Sequence, residues 1–356
     1  MRTLTLVSSV LALVVFAAGC ATETTSPTPK LRRSGGSTST PVGEDNENGE
    51  HGTNQPSGPE APPDEGTPVG SETWADGKTI DSNVTVSEGA TVQIAPGATI
   101  NVASGVAITI KGTLEVASPA AHAKLTGTGW TGLVVANGGT LSADGLDIEN
   151  AASAIWTQTG NKGASLTNGV IDGATPFKME SGSKLAISKT NVKATSGSAI
   201  AGTFTASYME YDKGTSGGLT LNDPAGTMTI SDSILKGAGG GDYVISSAGK
   251  LVKLEYTTIS GAHCGLHFTA VEQFQLDHVS DDTNSYGAML YGSGAGPHSI
   301  VSSNIRSTDK DLDMQGTNGP LTVEKSYTGG KNTLAANAKI TDAATQPIPD
   351  AKPRAQ

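Results

Sequence analysis

Short apolar pairs, each split by one residue and closed by a turn, recur along the middle of this chain. They read "GLVVANGG", "AIWTQTG", "PFKMESG", "AIAGTF", "GLTLNDPAG", "YVISSAG", "GLHFTA", "AMLYGSG" and "DLDMQGTNG". Their first members are Leu133, Ile155, Phe177, Ala199, Leu219, Tyr243, Leu266, Ala288 and Leu312, in steps of 20 to 24 residues. A second series lies midway in the units and keeps the same step, beginning at Leu166, Ile187, Ile230, Leu254 and Leu276. Alternation with a period of two is the signature of a strand, and no stretch holds a helical period for a useful length. Strands and turns repeating at this interval predict a solenoid, because one unit cannot bury its apolar side alone and must stack on its neighbours. The Leu-rich consensus of leucine-rich repeats is absent, and a propeller blade would need roughly twice the length.

The start of the repeat carries a resemblance. The segment "TWADGKTIDSNVTVSEGATVQIAPGATINVASGVAITIKGTLEVAS" places Trp74 before a strand and runs from "GATVQIAPGATI" to "ITIKGTLEV". It is similar to the first coils of secreted bacterial members of the right-handed parallel β-helix, or pectin-lyase-like, superfamily. The resemblance covers about Trp74 to Gly330. It implies an all-β solenoid in which each coil supplies three short strands to three parallel sheets. It implies no activity, because the fold carries lyases, hydrolases, epimerases, adhesins and inert scaffolds alike.

Alternation then assigns faces. Leu219, Tyr243, Leu266, Ala288 and Leu312 are expected to point inward, followed two residues later by Leu221, Ile245, Phe268, Leu290 and Met314. Thr220, Val244, His267, Met289 and Asp313 are expected outward, with a second outward column of Asn222, Ser246, Thr269, Tyr291 and Gln315. About eleven coils at roughly 4.8 Å each would make a rod on the order of 50 Å long.

The ends read differently. "MRTLTLVSSVLALVVFAAGC" has an early charge, an apolar run from Leu11 to Phe16 and small residues before Cys20. Its apolar run is too short for a stable membrane span and suits a secretory signal. Ala17-Ala18-Gly19-Cys20 resembles the bacterial lipobox, with Ala17 where Leu is commonest. The resemblance implies a signal peptide over 1–19 and lipidation of Cys20. Each buried methylene of an acyl chain contributes about 0.8 kcal/mol to membrane anchoring. Ala21 follows the cysteine, so the Asp that retains many such lipoproteins at an inner membrane is missing, which implies an outer-membrane or cell-surface address. Residues 20–72 are Pro, Thr, Ser, Gly and acidic residues with almost nothing apolar to bury, and predict a disordered, lipid-anchored linker. As a flexible coil it would hold its ends on the order of 40 Å apart. The β-helix is expected over 73–330, and 331–356 is expected to fray as a tail.

Composition narrows the partners. A net charge of −11 argues against nucleic acid. Apart from Cys20 the sole cysteine is Cys264, so lipidation of Cys20 would leave Cys264 reduced, a small residue in or near the core. In "GAHCGLHF", His263 and His267 sit four apart. On a helix that spacing grips one ion, but on a strand it spans about 13 Å, which excludes a shared metal.

The outward residues supply candidate chemistry. Trp156, Lys178, Glu180, Asp242, His267, Tyr291, Asp311 and Asp313 are what a glycan-binding strip would contain, with Trp156 stacking on a sugar ring. Outward residues on any strand are often polar, which is the ordinary alternative. His267 and Tyr291 on neighbouring coils are the candidate acid and base pair for a polysaccharide lyase. The arginine-rich signature of such enzymes is absent, and Arg306 is the lone arginine of the coils. Asp281 and Asp282 resemble the adjacent aspartates of polygalacturonases, but the companion signatures are missing. Asp309, Asp311 and Asp313 alternate along one strand and are the candidate calcium ligands, without the Gly and closing Glu of a calcium loop. No other cofactor is implied.

The expected protein is a membrane-anchored surface lipoprotein with a β-helix rod that is structural, adhesive or glycan-binding. Its partners would be the membrane through the N-terminal lipid, and an extracellular polysaccharide or another surface protein. The alternatives are a carbohydrate-active enzyme on an acidic polysaccharide and a self-associating envelope scaffold.

Overall fold

The computed structural model describes residues 63–215, 217–239, 242–291, 294–315 and 319–356. The signal segment, Cys20 and most of the expected linker lie outside the described residues. Within one coil, Ser153–Thr157, Gly163–Thr167 and Val170–Gly173 are the first, second and third strands, and Thr175–Met179 opens the next coil. Each strand pairs in parallel with its counterpart one coil on, and the described elements are all strands. This is the expected parallel β-helix. The second strands form a separate 13-stranded sheet from Glu72–Trp74 to Ala338–Thr341. At about 4.8 Å per coil the stack is roughly 60 Å long. The first and third strands join in one 23-stranded network, because Ser280–Tyr291 and Asn304–Gln315 run through the corner between them.

Register turns the repeat into columns. Leu166, Ile187, Ala206, Ile230, Leu254, Leu276, Ile300 and Val323 are successive partners in the second sheet. This is the second sequence series, with three rungs added, Ala206, Ile300 and Val323. All are buried in one core that runs the length of the rod. Aromatic rings thicken it where coils permit, with Phe177 on Phe204 at 5.4 Å and Phe268 on Phe274 at 5.2 Å between centroids.

The corner between second and third strands is a single left-handed residue in coil after coil. Asn168, Lys189, Tyr208, Asp232, Tyr256, His278, Ser302, Lys325 and Asp342 all have φ between 47° and 53°. Only Asn and Asp tolerate that region well, so most of these positions carry strain of roughly 1 kcal/mol or more. At five of these nine corners the next residue offsets it. Thr190, Ser233, Thr257, Ser303 and Ser326 are buried and donate their hydroxyls to the carbonyl two residues back, at 2.6–2.9 Å. Ser233, Ser303 and Ser326 also accept the backbone N–H of Met209, Val279 and Ser303 from the coil before, at 3.0–3.1 Å. These three hydroxyls therefore close their own corners and tie them to a neighbour.

Several expected positions differ. The coils extend past both ends of 73–330, from Thr67–Val69 to Ala338–Thr341. Residues beyond Thr341 do not fray but lie back along the rod. Asn304 donates to the Ile348 carbonyl at 2.9 Å and accepts its N–H at 2.7 Å. Arg354 grips Asp232 through two 2.6 Å bonds and covers the Tyr256 ring at 4.1 Å. The arginine holds the Asp232 carboxyl below the usual carboxylate range. Polar contacts, not apolar burial, dock the tail, which is why its composition gave no sign of it.

His298 and Asp281 are among the ionisable groups buried in the stack. His298 stacks on Phe274 at 4.5 Å, accepts the Phe274 N–H at Nδ1 and donates from Nε2 to the Gly294 carbonyl, so its ring is neutral. Asp281 stands between Ile259 and Ile305 in an inward column. Asn284 donates to one carboxyl oxygen, and the other has no hydrogen-bond partner. Burial, above all, pushes its pKa up to about 8 from 3.8. Between these values the folded chain holds a proton that the unfolded chain has released. The contribution is whole below the unfolded value, and stability falls as pH rises from about 4 to about 8, by about 1.4 kcal/mol per unit from this group. Asp281→Asn keeps the shape and removes the titration. Its denaturation midpoint should match the parent near pH 4, exceed it at pH 8, and flatten the slope between; an unchanged slope would contradict the protonated carboxyl.

Candidate functional site

The outward column of the first sheet is read from register. Trp156, Lys178, Ala199, Thr220, Ser246, His267, Met289 and Asp313 are successive partners. The expected outward residues Thr220, His267, Met289 and Asp313 share this column. Ala199 also belongs to it, because its coil pairs Ser198, not Ala199, with Leu219.

At the N-terminal end Trp156 is not an open platform. Its ring is 3% exposed and packs against Ala107 and Val134. The Lys178 ammonium sits 3.5 Å from the ring centroid. Its indole N–H donates to Glu180 at 3.1 Å, and the second Glu180 oxygen accepts the Thr159 N–H at 3.1 Å. Trp156, Lys178 and Glu180 therefore form a closed unit, and the expected stacking on a sugar ring is replaced by a cation–π contact.

Further along, three coils gather a denser set of groups. Sequence alternation puts Tyr243 inward and Val244 outward, and the structure reverses both. Val244 and Ile245 are consecutive core residues, each with 0% exposure. The next coils repeat this bend at Gly265–Leu266 and Gly287–Ala288, with all four residues buried. Gly265 is required there, because a side chain at that position would run into the Asp281 carboxyl. The bend resets parity, so Tyr243 and its partner Cys264 emerge on the outer side. Tyr243 then meets the His267 ring edge-on at 5.6 Å, and His267 meets Tyr291 edge-on at 5.8 Å. Tyr291 donates its hydroxyl to Asp313 at 3.0 Å, and Lys310 donates to the same oxygen at 3.1 Å. The Cys264 thiol contacts the Met289 sulfur at 3.1 Å. Burial pushes the His267 pKa below the usual histidine range, so its imidazole is neutral at pH 7. The strip thus offers two tyrosine rings, a neutral imidazole, a carboxylate and an ammonium within reach of one extended ligand.

Other candidates separate. His263 packs on Tyr286 at 5.1 Å, whereas His267 lies between Tyr243 and Tyr291, so the two histidines serve different neighbours. Asp242 acts on the buried Lys213, opposing the burial that holds that ammonium below the usual lysine range. Asp309, Asp311 and Asp313 do not converge on a calcium site. Asp309 is exposed, Asp313 serves Tyr291 and Lys310, and Asp311 is buried, accepting the N–H of Ser307 at 2.9 Å and of Lys331 at 2.8 Å. The adjacent Asp281 and Asp282 also part, with Asp281 in the core and Asp282 paired to Arg306. Among the described residues no group of three His, Cys, Asp or Glu side chains is placed to hold a metal. Sequence reasoning found His267, Tyr291 and Asp313 but missed Tyr243, Cys264 and Lys310 as members of one site. The Gly265 and Gly287 pair was the available signal for the bend.

No protein-family profile matches the chain, and no curated protein matches it. Among solved structures, an endopolygalacturonase I from Stereum purpureum, complexed with two galacturonates, aligns with 78% of this chain and 99% of its own at 13% identity and a TM-score of 0.31. At that score the likeness carries no argument about chemistry, and the β-helix rests on the strand register itself.

The closed unit at Trp156 is testable by fluorescence. Trp74 and Trp130 are 0% exposed, so a change in quenching reports on Trp156. Lys178→Ala should raise acrylamide quenching of one tryptophan out of three; unchanged quenching would mean that the lysine does not cover the ring.

Proposed function

We propose that this chain is a membrane-tethered surface module whose rod binds an extended polysaccharide along the first sheet. The observation that carries the reading is the row Tyr243, His267 and Tyr291, joined edge to edge across three coils and ending on Asp313 and Lys310. A glycan presents apolar ring faces alternating with hydroxyls, and binding it takes aromatic surface beside polar groups. Coils about 4.8 Å apart repeat those groups along a line, which suits a polymer better than a compact ligand. The tether rests on Ala17-Ala18-Gly19-Cys20 and the Pro- and Thr-rich segment behind it. Lipid on Cys20 would hold the rod at an outer membrane or cell surface.

Catalysis on an acidic polysaccharide is the second reading, favoured by the neutral His267 beside Tyr291. It predicts the appearance of unsaturated uronate absorbance from pectate or alginate, lost in His267→Ala. The binding reading predicts retention on a glycan array without product. Tyr243→Ala and Tyr291→Ala should each weaken that retention about tenfold, equivalent to about 1.4 kcal/mol. An array with no binder would remove the glycan reading.

The tether is tested separately by metabolic labelling with a fatty-acid analogue. The parent chain should be labelled and sediment with membranes, and Cys20→Ala should do neither. Labelling of the substituted chain would refute lipidation at Cys20.

A further inference from the structure

We propose that Cys264, Met289 and His267 form a binding site for a soft monovalent metal ion, copper(I), on the outer side of the first sheet. Two of the donors already touch, with the Cys264 and Met289 sulfurs 3.1 Å apart across neighbouring coils. The third is fixed by register, because His267 is the backbone partner of Met289 and lies three residues after Cys264 on the same strand. The two histidines of "GAHCGLHF" do not share an ion, but the fold builds a different donor set around the same segment.

The chemistry selects the ion. Thiolate and thioether are soft donors that favour copper(I), and neutral imidazole is a compatible third. A thioether has little affinity for calcium or magnesium, which take oxygen ligands. Neither sulfur belongs to the continuous core: Met289 faces outward on a column that carries Thr220, Ser246 and Asp313 elsewhere, and Cys264 stands between its partners Tyr243 and Tyr286. The sulfurs are nevertheless shielded, at 3% and 4% exposure, and half-buried His267 forms the open edge between Tyr243 and Tyr291. An ion held there is screened from water. Metal–sulfur bonds of about 2.3 Å would need the sulfurs to part slightly, and the flexible methionine chain permits this. Binding replaces the thiol proton by the metal, so one proton leaves for each copper(I) that enters.

This proposal does not depend on the glycan reading and is tested without carbohydrate. The full chain carrying Cys20→Ala leaves Cys264 as its single thiol. It is titrated anaerobically with copper(I) against a coloured copper(I) chelator, with proton release followed in parallel. One copper per chain and one proton per copper are expected. Cys264→Ser should weaken binding by about a hundredfold or more, and Met289→Leu and His267→Asn by about tenfold each. Met289→Leu conserves volume and keeps the test decisive if Cys264→Ser fails to fold, which circular dichroism reports. Failure of the parent to compete with the chelator, binding unchanged in Met289→Leu, or preference for zinc(II) over copper(I) would each overturn the proposal.

Discussion

A left-handed residue between the second and third strands is the constraint on which the rest of this rod depends. From Asn168 to Asp342 it recurs in every coil with nearly the same φ. A corner of one residue leaves no slack, so the strands on either side are locked in phase with those of the neighbouring coils. The hydroxyls of Thr190, Ser233, Thr257, Ser303 and Ser326 meet the cost by bonding the backbone at the corner itself. At those five corners local strain and local hydrogen bonding are balanced within the turn itself.

Once the corners hold, parallel pairing converts sequence position into columns, and columns decide what is buried. Most inward columns are aliphatic and aromatic. Asp281 and His298 are two of the buried polar exceptions, and they are accommodated differently. His298 satisfies both ring nitrogens with backbone partners and stacks on Phe274, so a neutral imidazole fits at little cost. Asp281 satisfies one oxygen and stays protonated instead. Its carboxyl also restricts position 265 to glycine. That glycine lies in the bend that turns Cys264 outward, so a buried acid in the core shapes the surface strip above it.

The strip is chemically mixed because coils with different outward residues stack side by side. Tyrosine rings and the neutral His267 offer apolar and hydrogen-bonding surface, and Asp313 with Lys310 offers charge that is internally paired. Cys264 and Met289 add a soft pair that the rest of the column lacks. The regular scaffold contributes spacing, and the irregular outward residues contribute chemistry.

The repeat, the strand class and the inward parity of the second sheet were legible from sequence, because a two-residue alternation that returns every 20 to 24 residues has few physical solutions. His267, Tyr291 and Asp313 were legible for the same reason. Parity fails where two consecutive residues turn inward, as at Val244–Ile245, and there tertiary structure moved Tyr243 and Cys264 to the outer side. It also separated Asp309, Asp311 and Asp313, leaving the first exposed while backbone amides claim the second and a tyrosine the third. The tail was illegible because Asn304 and Asp232 hold it from 44 and 122 residues away. Local pattern determined which residues form strands and which way most of them point. Contacts between distant coils decided where the chain bends, and therefore which side chains meet.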